Sequence, residues 1–290
     1  MCFDETHPDA IGHAEGQDYL DTFGFRGGEF GNWLNQSERQ KCLDFGYNAL
    51  KDLANILNIQ DRDISLGGNL SIAFGARGRG NAAAHYEPAR QVINLTRFSG
   101  AGSLAHEWFH ALDHYYSYRD KDEKGGKLYS QEAHRKDTSS FGELIHSLHY
   151  KMKDGKEMLT DFEVGSAAMD KNYAMNGHGY WSSDCEMLAR AFACYIEDKM
   201  KERKMRSDYL SNNADCYGKA APQGEERKII NEKFDTFFTD LRERNILHKR
   251  EEEKTVVRKK SLADVKAMTR SKRMATSVAT QEKEIHSERR

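Results

Sequence analysis

The chain has 290 residues, 38% of them hydrophobic and 31% charged, with a formal net charge of −2 at pH 7. That length allows one large domain or two small ones. The near-zero charge carries no overall nucleic-acid signature, and no apolar run approaches the roughly 20 residues needed to span a bilayer. Met1-Cys2-Phe3-Asp4-Glu5 lacks the basic and apolar regions of a secretory signal. The five cysteines (Cys2, Cys42, Cys185, Cys194, Cys216) form no C-x-x-C pair, which fits free thiols in a reducing cytoplasm.

Residues 1–21 show little periodicity and read as a flexible N-terminal segment, with metal binding by Asp4, His7 or His13 the weaker alternative. The run Phe23-Gly24-Phe25-Arg26-Gly27-Gly28-Glu29-Phe30-Gly31-Asn32-Trp33 reads as a structured loop in which glycines turn the chain and rings pack. Arg26 and Glu29 there either touch substrate or form a structural ion pair. Asn35, with Glu38 three residues on, opens a helix whose Leu43, Tyr47, Leu50, Ala54 and Leu57 recur at helical spacing, ending near Leu57. Leu70–Phe74 is a short strand, and the Gly/Arg stretch Gly75–Asn81 is a loop at a cleft rim rather than a phosphate loop. Ala83–Glu87 and Gln91–Thr96 are two strands around the turn Pro88-Ala89-Arg90. An edge strand just ahead of the next helix suits pairing with an extended peptide.

That next helix carries Ala105-His106-Glu107-Trp108-Phe109-His110-Ala111-Leu112-Asp113-His114, an H-E-x-x-H sequence. Residues four apart share one helix face, so His106 and His110 can converge on one ion. Glu107 is then placed to take a proton from water on a zinc ion, which lowers that water's pKa to about 7. The motif has only three fixed identities, so its apolar surroundings must support it. The competing reading is a core helix whose histidines merely hydrogen-bond.

Beyond it, residues 118–140 are a polar loop, with His134 solvent-facing. A helix is expected over Phe141–Met152, and another over Asp161–Asp170 packed through Ala167, Ala168 and Met169. Ser182–Glu197 is a strongly helical stretch with Glu186 in its first turn among apolar residues. A buried carboxylate needs a partner. Zinc held by His106 and His110 would supply one, making a His₂Glu set with an open position; an i,i+4 pair with Arg190 is the alternative. His114 lies too far along the helix to share the ion, whereas Asp113 could orient His110. Glu197 is read as surface. Tyr180 and His178, in the loop before Glu186, are the candidates for stabilising an oxyanion, with Arg190 and Tyr195 behind them. A last helix follows Ala221-Pro222, with Ile230, Phe234, Phe237, Phe238 and Leu241 as a core stripe. Residues 249–290 hold 13 Lys/Arg against 7 Asp/Glu. They read as a disordered, solvated tail, with contact to nucleic acid the second reading.

Several of these motifs, in this order, resemble the first of the large polyvalent protein-associated domains. They are Phe23–Trp33, Ala73-Phe74-Gly75-Ala76-Arg77-Gly78, Ala84-His85-Tyr86-Glu87-Pro88, Val92–Thr96, Ala105–Asp113, and Glu186 with Ala189-Arg190-Ala191-Phe192. The resemblance spans roughly residues 22–245. It implies a zincin-like metallopeptidase domain from the multidomain proteins of phages and conjugative elements, and a setting in which such a protein is packaged or delivered into a recipient cell. The expectations are therefore an α+β, zincin-like fold, with a small twisted sheet beside the active-site helix. Domain boundaries are expected at 1–21, 22–248 and 249–290. Zn²⁺ would sit on His106, His110 and Glu186, with Glu107 as general base acting on a peptide or protein substrate and no membrane partner. The competing function is a non-catalytic binding module on the same scaffold, its tail contacting nucleic acid.

Overall fold

The computed structural model describes residues 12–31, 36–75, 84–95, 102–120, 127–132, 137–172 and 179–251. Asp4, His7, Asn35, His134, His178, all but the first residue of Gly75–Asn81, and tail residues 252–290 lie outside the described residues. One compact unit ends at Arg250.

Helix α1 (Gly16–Phe23) starts inside the segment expected to be flexible. Asp18 accepts from the Glu15 amide at 2.7 Å, and Tyr19 and Phe23 are buried, so packing begins well before residue 22. Strand β1 (Gly28–Phe30) follows, where only a loop was expected. Helix α2 (Gln36–Leu57) ends where its apolar spacing stops. Strands β2 (Ser71–Phe74), β3 (Ala84–Glu87) and β4 (Val92–Leu95) complete a four-stranded sheet of order β1-β2-β4-β3. β1, β2 and β4 run parallel; β3 is antiparallel to β4 and forms an edge. β4 is buried throughout, whereas β3 is half-buried.

Helix α3 (Leu104–Asp120) carries the H-E-x-x-H sequence and packs on β3 and β4. The short helix α4 (Tyr129–Glu132) lies beside it. Helix α5 (Ser140–His149) is capped by the Ser139 hydroxyl, which accepts from the Gly142 amide. It stops at His149, and residues 150–152, expected to continue it, turn into strand β5 (Tyr150–Lys153) paired with β6 (Lys156–Leu159). Asp154 and Gly155 both adopt positive φ, 52° and 73°, as a two-residue hairpin turn requires. That Asp-Gly pair was the local signal for the hairpin.

Helix α6 (Asp161–Asn172) buries Phe162, Gly165 and Ser166. The residues expected to pack, Ala167, Ala168 and Met169, are half-buried or exposed, because the helix is rotated relative to that expectation. Helix α7 (Asp184–Glu202) makes its most extensive contact with α3, and helix α8 (Gly224–Glu243) closes the bundle against α5 and α7. Phe109 packs on Phe192 with ring centroids 4.8 Å apart and on Phe234 at 5.6 Å; Phe141 stacks on Phe237 at 4.7 Å. Each fully buried ring of this kind contributes about 1.5–3 kcal/mol from apolar burial. This aromatic layer clamps α3 against α7, setting the separation between the two helices that bear the candidate ligands. The expectation of an α+β fold holds, and among the described residues no helix is long and apolar enough to cross a membrane.

Candidate metal centre

α3 is buried nearly all round, so each polar residue on it needs a partner. The Trp108 indole donates to the Ile64 carbonyl at 2.9 Å, and His114 Nδ1 lies 2.8 Å from the Tyr86 hydroxyl. Asp113 accepts from the Ser130 amide and hydroxyl at 2.9 and 2.5 Å, rather than orienting His110. Burial pushes the Asp113 carboxyl up to about 6, against the lowering by Ser130 and His110.

His106 and His110, one turn apart, bring their Nε2 atoms to 3.1 Å of each other. Glu186, from the first turn of α7, reaches across with Oε2 at 3.4 Å from His106 Nε2 and Oε1 at 3.4 Å from His110 Nε2. Among the described residues this is the one group of His, Cys, Asp and Glu side chains whose ligand atoms converge, all within 4.8 Å. Four ligands set tetrahedrally at about 2.0–2.1 Å from zinc stand about 3.3–3.4 Å apart. The Nε2–Nε2 edge and the edge from each imidazole to its nearer Glu186 oxygen are close to that size, the two imidazoles facing different oxygens of the carboxylate. The alternative, a Glu186–Arg190 pair, is not what engages Arg190, whose guanidinium donates to the carbonyls of Ala220 and Trp181 and to the Ser166 hydroxyl.

The electrostatics also suit a cation. Burial raises the Glu186 carboxyl, but the two imidazoles beside it prevail and hold it well below the usual carboxylate range. Burial opposes charge on His110, yet Glu186, then Glu107 and Asp113, leave its pKa raised. Glu186 Oε2, which faces the cluster, is buried with no hydrogen bond among the described residues. Such an orphaned polar atom is costly unless something absent from the protein chain satisfies it.

His106, Glu107 and Glu186 face one cavity of about 410 Å³. Glu107 is 6% exposed and lies on the face adjoining the histidines. Tyr180, half exposed, lines the same cavity, and burial and then the Glu186 charge raise its phenol. Tyr195 is elsewhere, its hydroxyl donating to Asp235 at 2.8 Å. Arg26 donates to the Arg90 carbonyl, and neither it nor Glu29 is among the described residues lining the cavity.

Another part of the wall was missed from sequence. Asn212, Asn213, Ala214, Cys216 and Tyr217 line the cavity together with His106 and Glu107 of α3. Glu197 holds them there: it is buried, not at the surface, and accepts from the Ala214 amide at 2.8 Å. The reasoning that singled out Glu186, a carboxylate among apolar helix residues, applied equally to Glu197. Gly102, with φ +86°, lets this wall approach α3, since a Cβ there would meet Asn212 Cβ at 3.1 Å. The start of α7 is anchored too. Asp170 accepts from the amides of Trp181 and Ser182 at 2.7 and 2.8 Å. The fully buried His149 ring sits between Glu163 Oε2 at 2.8 Å and Asp184 Oδ1 at 3.0 Å.

No curated protein and no solved structure matches the chain. One family model does, that of large polyvalent protein-associated domain 1, over residues 172–245. The matched stretch includes Tyr180, Glu186, Arg190 and the cavity-lining residues 212–214, 216 and 217, and lies wholly C-terminal to the H-E-x-x-H helix. Over residues 172–245 the chain is thus similar to the large polyvalent protein-associated domain 1 family.

Proposed function

We propose that this chain is a zincin-like zinc peptidase. The observation that carries this reading is the convergence of His106, His110 and Glu186 at the wall of a cavity that also holds Glu107. Bound zinc would supply a Lewis acid that polarises the substrate carbonyl and acidifies water. Glu107 takes the proton of the attacking water and passes it to the leaving amine as the C–N bond breaks. The Tyr180 hydroxyl donates to the oxygen on which charge develops. Ala84, at the start of edge strand β3, lines the cavity, so an extended peptide paired along Ala84–Glu87 would be led towards Glu107. The family match supports a setting among polyvalent proteins of phages and mobile elements.

The test is metal analysis of the purified chain beside His110→Ala and Glu186→Ala, followed by a peptide-cleavage screen of wild type and Glu107→Gln. About one zinc per chain, lost in both ligand variants, is expected. Glu107→Gln should keep the zinc and lose about 10²–10⁴-fold in rate. A zinc-replete preparation without metal overturns the reading. Zinc without any Glu107-dependent cleavage replaces it with a binding module on the same scaffold.

A further inference from the structure

Arg190 is the second charged residue that α7 turns towards the cavity, one helical turn after Glu186. It is only 4% exposed. Its guanidinium is held from three directions: Nε donates to the Ala220 carbonyl at 2.9 Å, and Nη2 donates to the Ser166 hydroxyl at 3.1 Å and the Trp181 carbonyl at 2.5 Å. The Trp181 and Phe162 rings flank it at 5.2 and 5.6 Å. These contacts fix its plane, yet Nη1 is buried with no hydrogen-bond partner among the described residues. No carboxylate among them forms an ion pair with it.

A guanidinium has five donors and no acceptor, so the two N–H groups on Nη1 are left over on a rigid, buried cation whose side chain lines the cavity. Leaving charged donors unsatisfied is expensive, and native structures rarely do so without a ligand, ion or water to receive them. Glu186 is the carboxylate with the strongest influence on Arg190. Once Glu186 and Glu107 are balanced by a divalent ion, the other carboxylate acting on Arg190 is Asp170, whose oxygens already accept from the Trp181 and Ser182 amides. A neutral acceptor would satisfy the hydrogen bond but not the guanidinium charge.

We propose that Arg190 Nη1 is an anion-recognition donor, and that the substrate presents a carboxylate to it, either an acidic side chain or a free C-terminus. This rests on the peptidase reading and adds the substrate class. Because Nε and Nη2 are already engaged, the contact is end-on through Nη1 rather than a two-pronged fork. The three anchoring acceptors make Arg190 a fixed reference point, so it selects for charge at one position along the bound peptide.

The test uses the full chain, zinc-loaded and carrying Glu107→Gln so that peptides survive, with binding measured by titration calorimetry. The probes are blocked alanine hexapeptides with one glutamate moved along the sequence, their glutamine counterparts, and the all-alanine peptide with a free C-terminal carboxylate. One carboxylate position is expected to bind about tenfold more tightly than its amide counterpart, as a charge-assisted hydrogen bond exceeds a neutral one. High salt should shrink that preference. A preferred internal glutamate identifies a side-chain source; a preferred free C-terminus identifies the terminal carboxylate. In a folded, zinc-retaining Arg190→Gln variant the preference should vanish. If that variant does not fold, the charge and salt comparisons on the Arg190 protein decide the matter. Equal binding of acid and amide peptides overturns the assignment while leaving the peptidase reading intact, as does a preference that survives Arg190→Gln. Failure of every peptide to bind overturns both.

Discussion

Replacing His149 by alanine removes the ring that ties three helices together behind the candidate metal centre. The ring is at the end of α5, Glu163 is in the first turn of α6, and Asp184 is the first residue of α7. The side-chain exposures are 0% for His149, 17% for Glu163 and 19% for Asp184, so solvent screens this cluster weakly. His149 hydrogen-bonds Glu163 through Nδ1 at 2.8 Å, and its Nε2 lies 3.0 Å from Asp184 as an ion-pair contact rather than a hydrogen bond. Its loss leaves two largely buried acids without their common partner, in addition to a cavity. Breaking such a buried pair from one side costs about 3–5 kcal/mol, and the residual exposure here puts the expectation near the lower value, about 3 kcal/mol. For a domain of this size each kcal/mol is about 2–4 °C, so the melting midpoint should fall by about 6–12 °C. Calorimetry of the metal-free chain measures this directly. Asp184 precedes Glu186 by two residues, so zinc affinity, read by competition with a chelating dye, should fall as well. A midpoint change smaller than about 2 °C, under 1 kcal/mol on this scale, together with unchanged zinc affinity, would show that the ring is passive packing.

Three further outcomes follow from the same geometry. Asp113 has a native pKa of about 6, raised above its unfolded value by burial. The native state therefore holds a proton that the unfolded chain has already lost, and stability falls as pH rises from about 4 to 6, by on the order of 3 kcal/mol. Asp113→Asn should flatten that part of a urea-derived stability–pH profile; an unchanged slope would refute the assignment. The His110 pKa is raised in the metal-free chain, so zinc must displace a proton held more tightly than by a free imidazole, and affinity should climb as pH rises through that raised pKa. Calorimetry in buffers of different ionisation enthalpy would then report proton release, and its absence would contradict the ligand role. Gly102→Ala forces a side chain into φ +86° and against Asn212, for an expected loss of about 1–3 kcal/mol. Denaturant melts measure that loss, and peptide binding should weaken as the wall at Asn212 shifts away from α3.

Much of the fold is readable locally. The apolar spacing of α2, the strands around Pro88-Ala89-Arg90 and the Phe stripe of α8 each bury one face against the core, so periodicity predicts them. The candidate ligands were readable for a different reason. His106 and His110 share a face by helix geometry, and Glu186 is a charge in a segment too apolar to be at the surface. Other features were misread where a local rule had a competitor. Tyr150–Met152 could extend α5 or begin a strand, and the Asp154-Gly155 turn decided it in favour of β5. Glu197 was placed at the surface because its partner, the Ala214 amide, is distant in the sequence and invisible to periodicity.

The sequence by itself determined the chemistry on offer: two imidazoles a turn apart, a carboxylate between them, and an acid on a separate apolar helix. Those are properties of residue type and short-range spacing, and helix geometry makes them legible. Only the tertiary structure decided that Glu186 comes within 3.4 Å of both imidazoles, that Asn212, Asn213, Ala214, Cys216 and Tyr217 line the cavity, and that Arg190 Nη1 has no hydrogen-bond partner among the described residues. Those facts depend on how α3 and α7 pack through Phe109 and Phe192 and on where Glu197 and His149 fix the flanking segments. Contacts between residues tens of positions apart are set by the packing of the whole core, and no local pattern encodes them.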